Sequence, residues 1–317
     1  MKFYRLSAAL PFAVLVLTAT AIRDTRAIER TVAVTFDDLP ATSAGAVATD
    51  TATLEDLTRR LLTAIRQHNV PAIGFVNESG LRAGPTADDM ERRIGLLRMW
   101  LDAGLELGNH TYSHRDLNTI PLDQFQADVL RGETVTRALL KERGRTPRFF
   151  RHPFLHVGAD LETRRAFEAF LAGHGYAVAP VTIDNDEFVY AAEYAGALRR
   201  GDRAAAARIA DDYLRYIDEV FSFFEEVSRR TIGHEIAQVI LLHANSLNAD
   251  RFSAVADAIV RRGYRFVTLA KALEDPAYRQ PDNFVGAPSN SWFSHWEVTA
   301  GRKSIPTPAV PAWLSSR

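Results

Sequence analysis

The chain of 317 residues contains no cysteine and no large excess of charge of either sign. The lack of cysteine excludes disulfides, and it is compatible with an exported protein or with a cytosolic one. With 38 Lys and Arg against 39 Asp and Glu, the formal net charge is −1. This balance excludes generic electrostatic binding to nucleic acid or anionic lipid, so we expect a neutral or mixed substrate.

The apolar stretch at the N-terminus is too short to be a good membrane anchor. It runs from Leu6 to Leu17, whereas a helix that spans a bilayer needs roughly 20 residues. Two basic residues precede it, and Ala19-Thr20-Ala21 follows with the small residues of a signal peptidase site. The sequence therefore predicts a signal peptide over residues 1–21. We expect a periplasmic or secreted protein with no stable membrane insertion after cleavage.

Internal repeats and low-complexity tracts are also absent. Short apolar runs, rich in branched and aromatic residues, instead alternate with longer amphipathic segments, as in βα units around a parallel sheet. Seven strands are predicted, over Thr31 to Phe36, Ala72 to Val76, Leu105 to Gly108, Arg148 to Phe150, Tyr176 to Ile183, Gln238 to Leu242 and Tyr264 to Leu269. Seven strands favour a barrel over an open sheet. The predicted fold class is α/β, a distorted parallel (β/α)7-type barrel with a helical insertion before the last strands.

Helices are predicted between the strands, over Thr51 to His68 and Leu122 to Lys141, where apolar residues recur on one stripe. The insertion at 189–236 has the same periodicity, and it is either a helical hairpin on the barrel wall or a lid over a substrate groove. We assign residues 28–275 to the barrel and 276–317 to a tail that packs on it. The tail carries Trp292 and Trp296, which either pin it to the barrel or stack on a sugar ring.

Chemically reactive residues follow directly on the predicted strands. They are Asp37, Asp38, His110, Arg151, Asp184 and His243. The carboxyl ends of the strands in a parallel α/β barrel share one face, and active sites of such folds are built there. Motifs spread over about 200 residues of sequence are thus expected to converge on one site.

The first two motifs are Thr35-Phe36-Asp37-Asp38 and His110-Thr111-Tyr112-Ser113-His114. One Asp and two His suffice to hold a catalytic zinc with an open position, and the spare Asp can act as general base. The spacing of the histidines suits one face of a helical turn, although two surface histidines would show it too. Asp-Asp could also cap a helix, but Pro40 favours extended backbone, which sends adjacent side chains to opposite sides.

The five motifs in order are Thr-Phe-Asp-Asp, His-Thr-x-x-His, Arg-x-Pro-Phe, Asp-x-x-Glu-Phe and Leu-Leu-His. This series resembles the polysaccharide deacetylase family, carbohydrate esterase family 4, over about Thr31 to Leu273 apart from the insertion. The resemblance implies a hydrolase of C–N (non-peptide) bonds that removes N-acetyl or O-acetyl groups from a glycan by metal-activated water. An alternative is an amidohydrolase that acts on a small non-glycan amide at the same site. A non-catalytic binding protein would be expected to have lost Asp37 or His243.

The resemblance also implies roles for the residues of the first two motifs. Asp37 would be the general base, and Asp38, His110 and His114 would hold a divalent metal. Zinc is the expected metal, although cobalt, nickel or manganese would also suit an Asp-His-His site. The expected partner is an acetylated carbohydrate, with no nucleic acid, and the oligomeric state stays open.

In the later motifs, Arg151 resembles the residue that pairs with the base, and the backbone amide of Phe154 would help to stabilise the oxyanion. Asp184 resembles the acidic residue that holds either Arg151 or the catalytic histidine. His243 resembles the general acid, and Leu241 would line the pocket for the acetyl methyl.

Two motifs depart from the family pattern. The third usually reads Arg-Pro-Pro-Tyr-Gly but here runs from Arg151 to Leu155 as Arg-His-Pro-Phe-Leu, which allows His152 or His156 to face the site. In the fourth, the usual Asp and Trp are Glu187 and Phe188, and Phe188 is expected to contact substrate. We infer that the reaction is retained and the substrate groove is remodelled.

Overall fold

The computed structural model describes residues 1, 30–42, 44–286 and 291–315. Apart from Met1, the predicted signal peptide therefore lies outside the described residues. Within the described part of the chain, none of the helices combines the length and the apolar character that crossing a membrane requires.

Seven strands in the described residues form one parallel sheet. They are β1 (Thr31–Leu39), β2 (Ile73–Val76), β3 (Glu106–Asn109), β4 (Phe149–Phe150), β5 (Ala177–Val178), β6 (Gln238–His243) and β7 (Arg265–Phe266). Their order is β5-β4-β3-β2-β1-β6, and β7 pairs with the first residues of β1. β1 is the longest strand of the described sheet and has the most neighbours, since it pairs with β2, β6 and β7.

The sheet curves until its two edges meet. β5 pairs with β4 at one edge, and a few residues later the amides of Thr182 and Ile183 donate to the carbonyl of Val239 at 3.0 Å each. Val239 belongs to β6, the strand at the other edge. The segment after β5 therefore joins β4 to β6, which confirms the predicted α/β fold with a distorted parallel barrel.

Eleven helices flank the strands in the described residues. They are α1 (Thr51–Gln67), α2 (Ala87–Asp102), α3 (Leu122–Arg131), α4 (Thr134–Lys141), α5 (Leu161–Gly173), α6 (Glu187–Arg199), α7 (Arg203–Ile232), α8 (Ser246–Arg261), α9 (Leu269–Ala272), α10 (Trp292–Thr299) and α11 (Ala312–Ser315). Polar caps fix several of their starts. Asp50 accepts from the amide of Thr53 at α1, and Thr86 forms a reciprocal capping box with Asp89 at α2.

The prediction of one helix over Leu122 to Lys141 was wrong, because the structure has two helices that break at Gly132. A Cβ atom on Gly132 would lie 2.3 Å from the backbone of Thr111 and Tyr112, so only glycine permits this approach. The end of α3 also binds the same loop, since the amide of Tyr112 donates to the carbonyl of Asp128 at 3.0 Å. The break therefore lets α3 support the loop that follows β3.

The insertion forms two helices, α6 and α7, which pack against each other, and α6 also packs on α8. The buried face of α7 includes Tyr213, Val220 and Phe224. In the tail, Trp292 and Trp296 are buried, and the amide of Trp292 donates to the carbonyl of Val181 at 2.7 Å. Because both indoles are covered by protein, they are not exposed for stacking on a sugar.

Candidate metal and catalytic centre

The carboxyl ends of the strands open into a cavity of about 1090 Å³. Nine of the residues singled out in the sequence line it, namely Asp37, Asp38, His110, His114, Phe154, Asp184, Phe188, Leu241 and His243. Arg151 is fully buried behind this wall, beside Asp37. The structure therefore brings together all ten residues that the motifs predicted for one site.

Asp38, His110 and His114 form a compact cluster whose ligand atoms all lie within 4.8 Å of one another. Asp38 Oδ1 is 3.6 Å from Nε2 of both histidines, and it is buried without a hydrogen-bond partner in the protein. An isolated buried carboxylate oxygen is costly, whereas a cation between the three residues would compensate it. The donor set of one carboxylate and two imidazoles fits a divalent metal with open positions.

The orientation of His110 also suits a metal ligand. Its Nδ1 lies 2.8 Å from the carbonyl oxygen of Arg151, to which it donates, so the Nε2 lone pair faces Asp38 and His114. Burial and the neighbouring His114 lower the pKa of His110 well below its ordinary value, which favours the neutral ligand form. The third motif thus helps to orient a side chain of the second.

The two histidines do not share a helical turn, so this expectation from the sequence was wrong. Thr111 and His114 have φ of 67° and 54°, and the chain turns through non-helical backbone between them. Side chains stabilise the turn, because the amide of Thr111 donates to Asn109 Oδ1 and that of His114 to Thr111 Oγ1. The two imidazole centroids still come within 4.9 Å.

The expectation that Asp37 and Asp38 point to opposite sides was also wrong. Asp38 has φ of 63°, and the pairing of β1 with β2 shifts register between Phe36 and Leu39. Left-handed backbone breaks the alternation of an extended strand, so both carboxylates turn towards His110. Asp37 Oδ2 and Asp38 Oδ1 lie 3.7 Å and 3.6 Å from its Nε2.

Asp37 forms a buried pair with Arg151. Nη1 of Arg151 lies 3.6 Å from Asp37 Oδ2, and its Nη2 donates to Thr35 Oγ1 at 2.9 Å. The guanidinium also rests 4.8 Å from the ring centroid of Phe75. Burial raises the pKa of Asp37 to about 6, although the charges of Arg151 and His243 act in the opposite direction. Asp37 Oδ1 has no hydrogen-bond partner in the protein, so this oxygen is available to other groups.

His243 is held by Glu187, a residue for which the sequence predicted no role. Nδ1 of His243 lies 2.8 Å from Glu187 Oε2, while Oε1 accepts from the side-chain amides of Asn245 and Asn248. Burial alone would lower the pKa of His243, but the hydrogen bond and charge of Glu187 raise it to about 9. The sequence feature that could have identified Glu187 was its position in the fourth motif, three residues after Asp184.

Asp184 lies elsewhere in the same wall. Its Oδ2 accepts from Thr307 Oγ1 at 2.9 Å. Burial lowers the pKa of Arg151, and the charges of Asp37 and Asp184 oppose this change. The charge of Asp184 thus acts on Arg151, one of its two expected partners, and Glu187 binds His243, the other expected partner.

Two exposed aromatic residues flank the cluster. Phe154 is 52% exposed and its ring lies 4.5 Å from that of His114, whereas Phe188 is 54% exposed and lies 6.4 Å from His243. Phe154 has φ of 57°, so the third motif also contains left-handed backbone. His152 and His156 both line the cavity.

Several known proteins are similar to this chain. A family model described as polysaccharide deacetylase matches residues 24–169. A chitin deacetylase from Colletotrichum lindemuthianum is 23% identical over 259 residues, which are 81% of this chain and 83% of that protein. Residues 24–169 of the chain are thus similar to the polysaccharide deacetylase family. The family match contains the first three motifs, and the longer alignment with the chitin deacetylase extends well beyond them.

Two further proteins that are similar to this chain come from bacteria. A peptidoglycan-N-acetylglucosamine deacetylase from Bacillus cereus is 27% identical over 123 residues, or 39% of this chain and 36% of that protein. Among solved structures, a family 4 carbohydrate esterase from Streptomyces lividans in complex with acetate is 20% identical. The aligned region covers 77% of this chain and 95% of the esterase chain, with a TM-score of 0.46.

Proposed function

We propose that this protein is a metal-dependent hydrolase that removes acetyl groups from a glycan. The observation that carries the proposal is the Asp38, His110 and His114 cluster, which shares one cavity with Asp37 and His243. These residues provide metal ligands, a buried carboxylate and a part-buried imidazole within one site. The family match over residues 24–169 supports the reaction class, and the acetyl group can be bound through nitrogen or oxygen.

Asp38, His110 and His114 hold the metal in this proposal, and zinc is the ion that this donor set suits best. When bound, the metal supplies Lewis acidity, which polarises the acetyl carbonyl and makes water more acidic. Asp38 Oδ1 and the two Nε2 atoms already converge at 3.6 Å, so little rearrangement is needed to bind an ion.

Asp37 is the general base, which takes a proton from the attacking water. Its pKa of about 6 lies close to neutral pH, where a carboxylate can be ionised and still accept a proton efficiently. Arg151 keeps this carboxylate in place, and its own position depends on Thr35 and Phe75. The amide of Phe154 assists in stabilising the oxyanion that develops at the acetyl carbonyl.

His243 is the general acid, which gives a proton to the departing amine or alcohol. Glu187 binds Nδ1 of this imidazole and therefore leaves Nε2 as the atom that carries the transferable proton. Because Glu187 raises the pKa of His243 to about 9, the imidazole is protonated at neutral pH, as an acid must be. The negative charge of Asp184 favours the protonated form of Arg151, which in turn pairs with Asp37.

The proposed substrate is an acetylated polysaccharide related to chitin or peptidoglycan, the polymers named for the two similar enzymes. Phe154 and Phe188 offer exposed rings on either side of the cluster, and aromatic faces stack well on sugar rings. Leu241 provides a small apolar contact for the acetyl methyl. An exported location, through the signal peptide at residues 1–21, fits a polymer outside the cell.

The test measures acetate release by zinc-loaded protein from acetylated chitooligosaccharides, peptidoglycan fragments, acetylated xylan and small amides. Asp37→Asn and His110→Ala should both abolish most of the release, while His174→Ala, an exposed substitution outside the cavity, should not. Activity that survives in both site variants contradicts the proposal. Release from small amides alone would favour the alternative amidohydrolase over the glycan deacetylase.

A further inference from the structure

Arg93 is a buried cation in the wall of the catalytic cavity, outside the five motifs. It lies on α2 and is 5% exposed. Nη2 donates to the carbonyl oxygen of Thr49 at 2.6 Å, and Nη1 donates to that of Gly80 at 3.2 Å. All three residues line the cavity, so the guanidinium occupies the part of the wall that the loops around Thr49 and Gly80 form.

The charge of Arg93 is not compensated by the protein. Among the residues that the structure describes, no carboxylate lies within 4.0 Å of it, and Nε is buried without a hydrogen-bond partner. The other deeply buried arginines are different, since Arg151 has Asp37 at 3.6 Å and Arg164 has Asp282 at 2.7 Å. A guanidinium keeps its proton in a protein, and buried charges are normally paired.

Two bonds to carbonyl oxygens could serve to tie the loops together, but they do not require a positive charge. A neutral amide side chain makes such bonds without the desolvation cost of an ion. Arg93 lines the cavity, and the planar fork of a guanidinium matches a carboxylate. The uncompensated charge is therefore better explained by an anionic ligand than by loop bridging.

We propose that Arg93 is a substrate-recognition residue that binds a carboxylate on an acetylated acidic glycan. The inference rests on the proposed function, because it places this carboxylate on the same molecule that carries the scissile acetyl group. Arg93 takes no part in the bond-breaking step. It selects substrates in which an acidic sugar occupies the Thr49 and Gly80 side of the cavity.

The test compares chitotetraose with the same tetrasaccharide oxidised at C6 to carboxylates, and with its 6-O-sulfated form. Dissociation constants are measured by calorimetry on full-length protein freed of metal by a chelator, so binding is read without turnover. Acetate release by the zinc-loaded protein is measured in parallel. The wild type should bind the carboxylated compound at least about tenfold more tightly than chitotetraose, as expected for hydrogen bonds to a charged group.

Arg93→Gln should remove this preference while it changes the affinity for neutral chitotetraose by less than about twofold. Arg93→Lys keeps the charge without the fork and should retain part of the preference. Arg92→Gln is the matched control, because Arg92 is its exposed neighbour on α2 and carries the same charge. It should leave both affinities and the acetate release unchanged.

The proposal is overturned if the wild type shows no preference for the carboxylated compound, a result that needs no variant to fold. It is also overturned if Arg93→Gln weakens the binding of all three compounds equally, as the loss of a structural residue would. Tightest binding of the sulfated form would overturn it as well. Equal rates of acetate release from neutral chitotetraose and from the carboxylated form would contradict the role of Arg93 and leave the proposed deacetylation unaffected. Absence of acetate release from every compound, with the binding preference intact, would remove the proposed deacetylation alone.

Discussion

The protein contains two buried clusters built from Asp, His and Arg, and they differ in how completely they are satisfied. In the tail cluster, formed by Arg164, Asp282 and His295, both oxygens of Asp282 accept hydrogen bonds. In the catalytic cluster, formed by the residues of the first three motifs, Asp37 Oδ1, Asp38 Oδ1 and Nε and Nη1 of Arg151 have no hydrogen-bond partner in the protein. Similar residue types therefore stabilise the fold in one place and are available for a ligand in the other.

The lengths of the ion pairs show the same difference. Arg164 approaches Asp282 to 2.7 Å, whereas Arg151 remains 3.6 Å from Asp37. A closely bonded ion pair stabilises the folded state when the attraction between the two charges exceeds the cost of removing them from water. A loosely bonded pair leaves hydrogen-bonding capacity for substrate and water, at some cost in stability. Substitutions in the two clusters should therefore affect different properties.

The largest effect is expected from Asp37→Asn. The amide keeps the shape of the side chain but cannot accept the proton, so kcat should fall by about 10²- to 10⁴-fold. Steady-state kinetics with zinc-loaded protein measures this fall, and thermal unfolding should show little change. A kcat within threefold of the wild type would mean that another group is the base.

Asp282→Asn should produce the opposite result in the tail cluster. Arg164 would lose its buried partner, and the free energy of unfolding should fall by about 3–5 kcal/mol, while kcat per folded molecule stays unchanged. Chemical denaturation and active-site titration separate the two quantities. A loss of kcat without a loss of stability would show that the tail cluster serves catalysis.

Asp282 also predicts a pH dependence of stability. Burial would raise its pKa, but the hydrogen bonds and charges of Arg164 and His295 hold the pKa well below its usual range. A carboxyl whose pKa is lower in the folded state stabilises the protein above its unfolded value of about 3.9. The stability that ionised Asp282 contributes is lost as the pH falls below that value. The unfolding free energy of Asp282→Asn should lack this part of the pH dependence.

A smaller effect is expected from Glu187→Gln, which keeps a hydrogen-bond acceptor beside His243 but removes the charge. The catalytic rate should fall about tenfold to a hundredfold. Because Glu187 raises the pKa of His243 to about 9, the alkaline limb of the pH profile should move to lower pH. An unchanged alkaline limb would show that Glu187 does not set the proton affinity of the acid.

The smallest effect is expected from Gly132→Ala. The φ of Gly132 is −79°, which alanine adopts freely, so the cost comes from the Cβ atom 2.3 Å from the backbone of Thr111 and Tyr112. We expect a loss of about 1–3 kcal/mol in unfolding free energy, with weaker zinc binding. Gly95→Ala is the matched control, since Gly95 lies in α2 and a Cβ atom there would meet nothing within 4 Å. It should raise stability by up to about 1 kcal/mol.

The sequence predicted the parallel barrel and the convergence of the five motifs, because apolar strands followed by polar residues give a strong periodic signal. It did not predict the local backbone of the site. Left-handed conformations at Asp38, Thr111 and His114 depend on tertiary hydrogen bonds and on a register shift, and neither appears in side-chain spacing. The break at Gly132 was missed for a similar reason, since the packing partner is about 20 residues away in sequence.

The partner of His243 is the clearest example of this limit in the site. Glu187 and His243 are 56 residues apart, and the whole α6 and α7 insertion separates them in sequence. Only the fold shows that Glu187, at the start of α6, reaches the end of β6. The additional methylene of Glu relative to the usual Asp is compatible with this reach.

Zinc titration by calorimetry tests most directly whether Asp38, His110 and His114 hold a metal, as the unpartnered Asp38 Oδ1 between the two imidazoles indicates. The wild type and Asp282→Asn should each bind one zinc ion per chain with the same affinity, whereas His110→Ala should lose most of this affinity. Zinc binding that is equal in the wild type and His110→Ala, or absent from both, would contradict the account.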